Sequence, residues 1–501
     1  MGRTDGVIRR ALTWAAILGA SLSGPAMAQT PTAEQREHAA ALGAHHICAG
    51  VFVVGRDYQR SPAEVLAQDL APFRPFLWQE SFAYTVDRDA HVVTVTGPGI
   101  SPRKAKYNDD QGCTILPPGE DDVYFTPVNV SSTLPNGSTQ DWPLGDRNAV
   151  GPVPSEVNEA ALNRALDWAM AQSEQNTRAI IVVYKGRVLG ERYAPGFTKD
   201  TTQISWSMGK SITSALIGVL VQQGHFHWND AAPVSEWSKP GDPRSRITIA
   251  HLLRMSSGLD FKNYGLSGPE SYSPENEHFL IYFGAPHVFR HAVNQPPAFA
   301  PDVEWRYKNS DPLTLGKIVR ETVEARGENY LTFPQRHLFD KIGARNYVLE
   351  TDAYGNFIMT GYDFGSGRDW ARFGLLHLWD GVFEGERVLP EGWVDFITTP
   401  APADDRQGYG GLWWLNRGGA MSRAPEDAYW AAGYMGQRTM VIPSRDMVIV
   451  RLGPSPSGFG QYFNTFVGEV LDAVSEQGAV SGEQEAGPSS ALSPRCCGLY
   501  Q

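Results

Sequence analysis

Cysteine is scarce in this chain, with four in 501 residues, so a fold stapled by many disulfides is excluded. Positive charge is in deficit as well: Lys and Arg total 43 against 55 Asp and Glu, a net charge of −12. That balance argues against nucleic acid or an anionic membrane surface as a partner. The apolar run "ALTWAAILGASLSG" is short and rich in Gly and Ser, unlike a transmembrane helix. No Gly-x-Ser-x-Gly occurs, which disfavours an α/β-hydrolase nucleophile elbow. There is no His-Glu-x-x-His, and no phosphate-binding loop or dinucleotide fingerprint follows a strand. His287 and His291 have zinc-compatible spacing in "HVFRH" but no evident acidic third ligand nearby. His225 and His227 read as a loop after a helix. Neither a metal nor a cofactor is expected.

What is present is an ordinary globular composition, 42% hydrophobic and 20% charged, in a chain long enough for one large domain or two. Residues 1–28 read as a secretory signal. Arg3, Arg9 and Arg10 precede the apolar run, and "AMA" places cleavage after Ala28. The chain is therefore expected in the periplasm or beyond, with no integral membrane segment after cleavage. Cys48 and Cys113 flank a compact N-terminal unit and are expected to be bridged, as an oxidising compartment allows. Cys496 and Cys497 lie in a tail, residues 476–501, whose composition reads as disorder.

Periodicity divides the rest. Residues 29–117 hold a helical start, a helix over "PAEVLAQDLAPF" and a hairpin in "FAYTVDRDAHVVTVTG". Residues 118–154, rich in Pro, Gly, Asn and Asp, read as a linker lying over the surface. In residues 155–475, "SEVNEAALNRALDWAMAQ" predicts a helix that its Ser-x-x-Asn start can cap. Two strands meeting at Lys185-Gly186 follow. A second pair, "RTMVIPSRDMVIVRLG", turns at residues 443–446. The expected fold class is α+β: one antiparallel sheet built from both ends of this domain and flanked by helices as an α-β sandwich. A mostly helical region and the small N-terminal α+β unit complete it.

The chemistry is carried by "QISWSMGKSITSALIGVL". Its apolar residues recur at helical spacing from Met208, so Ser207 and Lys210, three apart, share one face of a first turn. Serine is a poor nucleophile until a base takes its proton, and a desolvated lysine can be that base. A helix N-terminus adds positive potential where an oxyanion forms. A second Ser-x-x-Lys, at Ser101 and Lys104, contains a proline and reads as a surface loop.

Further on, "WRYKN" offers Tyr307, whose hydroxyl can relay a proton to a leaving group. Two residues later in extended backbone, Asn309 faces the same side and can bind a substrate carbonyl. Tyr354 and Asn356 repeat the spacing inside a turn. Between the serine and Tyr307, "ITIAHLLRMSSGLDF" reads as a helix ended by Gly258. A long polar, aromatic-rich segment of the kind that shapes binding sites then runs to Pro301. Trp206, Trp413, Trp414 and Trp430 beside these motifs can line an apolar pocket or fill the core.

The ordered set "SMGK", "HLLRMSSGL", "YKN" and "AAGYMGQRTMVIPSRDMVIV" resembles the serine β-lactamase and penicillin-binding superfamily. Within it the nearest part is the class C-related branch, with its family VIII esterases and 6-aminohexanoate-dimer hydrolases. The resemblance spans roughly residues 155–474. It implies that Ser207 is acylated, that Lys210 and Tyr307 handle the proton, and that Asn309 orients substrate or the lysine. It also implies an oxyanion hole from the N–H of Ser207 and one near Gly433, taken here as Tyr434. Where relatives carry Lys-Thr-Gly, this chain has Ala431-Ala432-Gly433, which removes a cation for a substrate carboxylate. Gly433 would let a substrate lie close to the strand, and Gln437 matches the dimer-hydrolase form. The expected activity is hydrolysis of small-molecule esters or linear amides. A β-lactamase or D-Ala-D-Ala carboxypeptidase is the alternative, and a non-catalytic cell-wall or partner-binding module a further one. Sequence leaves oligomeric state open.

Overall fold

The computed structural model describes residues 30–55, 60–70, 82–148, 152–263 and 269–474. The expected signal segment and the tail with Cys496 and Cys497 lie outside the described residues. Along the chain come helices α1 (Ala33–Cys48) and α2 (Pro62–Val65), then strands β1 (Ala83–Asp87), β2 (Val92–Thr96), β3 (Arg103–Tyr107) and β4 (Cys113–Ile115). Helix α3 (Glu159–Ala171) leads into β5 (Ala179–Tyr184), β6 (Arg187–Tyr193) and the short β7 (Gln203–Ile204). Four helices follow: α4 (Gly209–Gln222), α5 (Ile249–Leu253), α6 (Glu277–Phe283) and α7 (Val288–Val293). Next are α8 (Ser310–Glu324), β8 (Val348–Leu349), β9 (Asp363–Gly365) and α9 (Gly367–Leu378). The chain continues through β10 (Val382–Phe383), β11 (Glu386–Arg387) and α10 (Trp393–Thr398). It finishes with β12 (Trp414–Leu415), β13 (Tyr429–Gly433), β14 (Gln437–Ile442), β15 (Met447–Leu452) and α11 (Phe459–Ala473).

The main sheet is antiparallel and six-stranded, in the order β12-β13-β14-β15-β5-β6. The first strand pair of the domain thus joins the last. Its two hairpin turns follow from local chemistry. Lys185 and Gly186 both take positive φ (48° and 72°), and Asp446 does so at 46°, as tight connections between twisted strands demand. Alternation along the strands gives each face its own cover. Ile180, Val182, Met440 and Ile449 pack with α3 and α11 through Leu166 and Phe466. Ile181, Val183, Val448 and Val450 belong to the core on the other side, with α9. There Gly374 lets α9 sit close, for a Cβ would stand 2.5 Å from Val448 Cγ1.

The N-terminal residues do not stand apart. Strands β1 to β4 form an antiparallel meander, and Cys113 on β4 is joined to Cys48 at the end of α1 by a disulfide. Thr32 and Gln35 close a capping box at the start of α1, and residues 38–48 are all buried. A helix covered on every side has surfaces on two partners. For α1 these are the meander and the catalytic part, so Ala40, Ile47 and Val93 share one core with Leu216 and Leu252.

Three local expectations need correction. Helix α3 starts at Glu159, with Asn158 rather than Ser155 as its cap, because the Asn158 side chain accepts the N–H of Ala161. Helix α5 ends at Leu253, well before Gly258, since Met255 already takes φ 56°. Arg103 and Lys104 belong to strand β3, with Arg103 buried, so only Ser101 and Pro102 of that motif lie in an exposed loop.

Candidate active site

Ser207 sits in a single tight turn, Trp206–Met208, that runs directly into α4. The entry is strained: Trp206 has φ 53°, a conformation that costs a bulky residue about 1–3 kcal/mol and clusters at functional sites. Lys210 lies one turn on, and its Nζ donates to Ser207 Oγ across 3.0 Å. The serine is half-buried while the lysine is 1% exposed, so the hydroxyl reaches the surface and the amine is dry. Burial lowers the lysine to about 7, with Asp363 pulling the other way. Near neutral pH much of it is therefore free amine, able to take a proton.

The carbonyl oxygen of Thr360 organises this pair. It accepts from Lys210 Nζ at 2.9 Å, from Ser207 Oγ at 3.3 Å and from the Tyr282 hydroxyl at 2.6 Å. Asp363, on β9, is fully buried beside the start of α4. A Cβ at Gly209 would stand 2.1 Å from its Oδ1, which explains a glycine between the serine and the lysine. Burial pushes the Asp363 carboxyl well above the usual range, against the pull of Lys210. Sequence reading missed Thr360, Tyr282 and Asp363. A backbone carbonyl leaves no sequence signal, and the two side chains come from distant segments.

Tyr307 is brought to the pair, with Lys210 Nζ 4.9 Å from its ring centroid. Around it stand Trp414, 5.5 Å away ring to ring, and Tyr409 at 6.0 Å; Trp305 packs on Tyr409 at 5.4 Å. On the other side His278 lies 5.9 Å from Tyr307, pushed far toward the neutral imidazole by burial and by the charge of Lys210. The site thus has an aromatic wall.

Asn309 is not where the sequence placed it. Its backbone is helical (φ −94°, ψ −17°) at the start of α8, and the side chain is fully buried. Its Nδ2 donates to the carbonyl of His278 at 2.8 Å and to the Tyr282 hydroxyl at 3.2 Å. Through this amide nitrogen it holds α6.

The third motif also differs. At Gly433 a Cβ would stand 2.0 Å from the carbonyl oxygen of Ser205. The glycine lets β13 press on the turn that carries Ser207. Gln437 is 2% exposed, and its amide bridges the N–H and carbonyl of Gly453 at 2.8 and 2.9 Å. That amide closes β14 on the end of β15. Tyr434 is half-buried at the end of β13, its ring edge-on to Trp206 at 5.6 Å. The following residue, Met435, takes φ 60° and turns the chain into β14.

The histidines set aside in the sequence have other partners: His287 Nδ1 accepts the N–H of Arg290 at 3.3 Å, and Gln295 Nε2 lies 3.2 Å from His291 Nε2. Among the described residues no group of three His, Cys, Asp or Glu could hold a metal, and no helix is long and apolar enough to cross a membrane.

A family model described as Beta-lactamase matches residues 162–461. The chain belongs to the β-lactamase family. Among similar proteins, the 6-aminohexanoate-dimer hydrolase of Paenarthrobacter ureafaciens is 25% identical over 323 residues, covering 60% of this chain and 78% of that one. Two solved structures share the fold, each with a TM-score of 0.50 and 13% identity over 65% of this chain and 99% of the other. One is a penicillin-binding protein homologue from Caulobacter crescentus and one a family VIII carboxylesterase. The resemblance stated from the ordered motifs is thus shown, and with it a hydrolase family acting on small molecules. The matched region begins inside α3, so the meander and α1 lie outside it.

Proposed function

We propose that this chain is an exported serine hydrolase that cleaves esters or linear amides through an acyl-enzyme on Ser207. The observation that carries the proposal is the buried Lys210 amine, lowered to about 7 and 3.0 Å from a half-buried serine hydroxyl. In the reaction Ser207 Oγ attacks the substrate carbonyl carbon, and its proton passes to the Lys210–Tyr307 pair. The tetrahedral oxyanion sits against the N–H groups of Ser207 and Tyr434, aided by the start of α4. The bond to the leaving oxygen or nitrogen breaks, and the leaving group takes the proton. Water then attacks the ester on Ser207 and gives its proton to the same pair; the bond between the acyl carbon and Oγ breaks, Oγ takes that proton, and the acid is freed.

Support for the substrate class comes from what surrounds the pair. Ala431 replaces a cation that would hold a lactam or peptide carboxylate, and Tyr307, Tyr409 and Trp414 offer an apolar wall. Similarity to a 6-aminohexanoate-dimer hydrolase points the same way, toward linear amides and esters. The signal-like residues 1–28 support export.

The test compares turnover of a short-chain aryl ester and a chromogenic cephalosporin by one purified sample, with Ser207→Ala as blank. The expected outcome is ester turnover with little lactam turnover, and a loss of roughly a thousandfold or more in Ser207→Ala. Normal activity in a folded Ser207→Ala variant would refute the acyl-enzyme. Efficient lactam turnover would overturn the substrate class.

A further inference from the structure

Tyr282 belongs to α6, inside the long segment between the serine and tyrosine motifs, and nothing in the sequence sets it apart. Its side chain is buried, and its hydroxyl makes two hydrogen bonds. It donates to the Thr360 carbonyl at 2.6 Å and accepts from Asn309 Nδ2 at 3.2 Å. The rest of α6 is pinned from three directions. Asn309 also holds the carbonyl of His278, one turn earlier on the same face. Tyr362 donates its hydroxyl to the carbonyl of Tyr282 at 2.6 Å. From the N-terminal part, Arg103 donates to the carbonyl of Phe283 at 3.3 Å. Gly361, next to Thr360, completes the fit, since a Cβ there would stand 2.6 Å from Tyr282 Cε1.

A carbonyl oxygen has two lone pairs, and three donors converge on that of Thr360. Tyr282 at 2.6 Å and Lys210 at 2.9 Å fill them, leaving Ser207 at 3.3 Å as the surplus donor. Without the tyrosine hydroxyl, one lone pair would be free to capture the Ser207 proton. That hydrogen bond would stabilise the resting serine and point its proton away from Lys210. The Thr360 carbonyl would also lose the tether that fixes it under the lysine.

We infer that Tyr282 is a positioning residue for the Ser207–Lys210 pair, acting through the carbonyl of Thr360 and held in place by Asn309. The inference rests on the acyl-enzyme reading above. It also gives the asparagine of the Tyr307–Asn309 motif a task its burial permits: anchoring the helix that tunes the nucleophile.

The experiment measures the rate of labelling of Ser207 by a fluorophosphonate, together with kcat and KM for an aryl ester, in wild type, Tyr282→Phe and Gly361→Ala. Tyr282→Phe removes only the hydroxyl. Gly361→Ala keeps the hydroxyl on the side chain but pushes ring and hydroxyl together off Thr360. Thermal unfolding establishes that each variant is folded. The expected result is a fall of about tenfold in labelling rate and kcat for both variants, with KM nearly unchanged, since the loss is confined to activation of the serine. Folded Tyr282→Phe that labels at the wild-type rate overturns the inference. A rise in KM alone also overturns it, by moving Tyr282 to substrate contact. Wild type that neither labels nor turns over ester fails the acyl-enzyme reading itself, an outcome distinct from either.

Discussion

Gly433 meets the carbonyl oxygen of Ser205 so closely that a Cβ on the glycine would stand 2.0 Å from that oxygen. Strand β13 and the turn carrying Ser207 are thereby locked backbone to backbone. Neither can shift without the other, which keeps the Ser207 N–H and the end of β13 in fixed relation.

A methyl group is therefore enough to separate them. Gly433→Ala is expected to destabilise the fold by about 1–3 kcal/mol, the usual cost of overpacking, and to lower ester turnover further than stability alone accounts for. Urea unfolding and kcat/KM on one preparation check both, and an unchanged midpoint with full activity contradicts the contact.

The pH dependence follows from Lys210. Burial, opposed by Asp363, lowers its pKa to about 7, and only the free amine accepts the serine proton. Below that value the ammonium form dominates, so kcat/KM for a neutral ester should fall about tenfold per pH unit toward acid and level off above. A profile flat from pH 5 to 9 would remove the lysine as base.

Trp414 governs the room beside Tyr307, against which it packs at 5.5 Å. Trp414→Ala opens that wall at the sheet edge. The ratio of hexanoate to acetate ester turnover should rise roughly tenfold, the scale on which apolar pockets discriminate chain length. Chain-length series for the two proteins give the ratio directly; parallel series would place the acyl group elsewhere.

Cys48 and Cys113 are bridged across a sequence separation of 65. On the chain-entropy model, removing the link costs about 4 kcal/mol. The double Cys48→Ser, Cys113→Ser variant should unfold at a markedly lower denaturant concentration than wild type, and dithiothreitol should reproduce the shift. Equal midpoints would show that the bridge contributes nothing to stability.

The legible parts of this molecule were local ones. Ser207 and Lys210 lie three apart, so helical geometry alone joins them. The turns at Lys185-Gly186 and Asp446 are fixed by residues that tolerate positive φ. What was not legible depended on partners far along the chain. Asn309 looked like a substrate ligand because its own neighbours suggested extended backbone. Its true partners, His278 and Tyr282, are 31 and 27 residues away. Gly433 was assigned an open flank that Ser205 occupies, and the amide of Gln437 is spent on Gly453, 16 residues on. Thr360 lies 150 residues from Lys210 and acts through its backbone, to which residue type is blind.

The N-terminal part is bound to the site by chemistry as well as packing. His45 lies 2.5 Å from Glu350 and stacks on Tyr362 at 3.7 Å, while Cys113 donates its N–H to the same carboxyl at 2.7 Å. Burial lowers the imidazole to about 3 and raises the carboxyl well above its usual range, favouring the neutral form of both. Tyr362 in turn holds Tyr282. A chain cut short before α3 would therefore strand Glu350 without its imidazole, bare the face of Tyr362 that His45 covers, and take from α6 the hydrogen bond that Arg103 gives to Phe283.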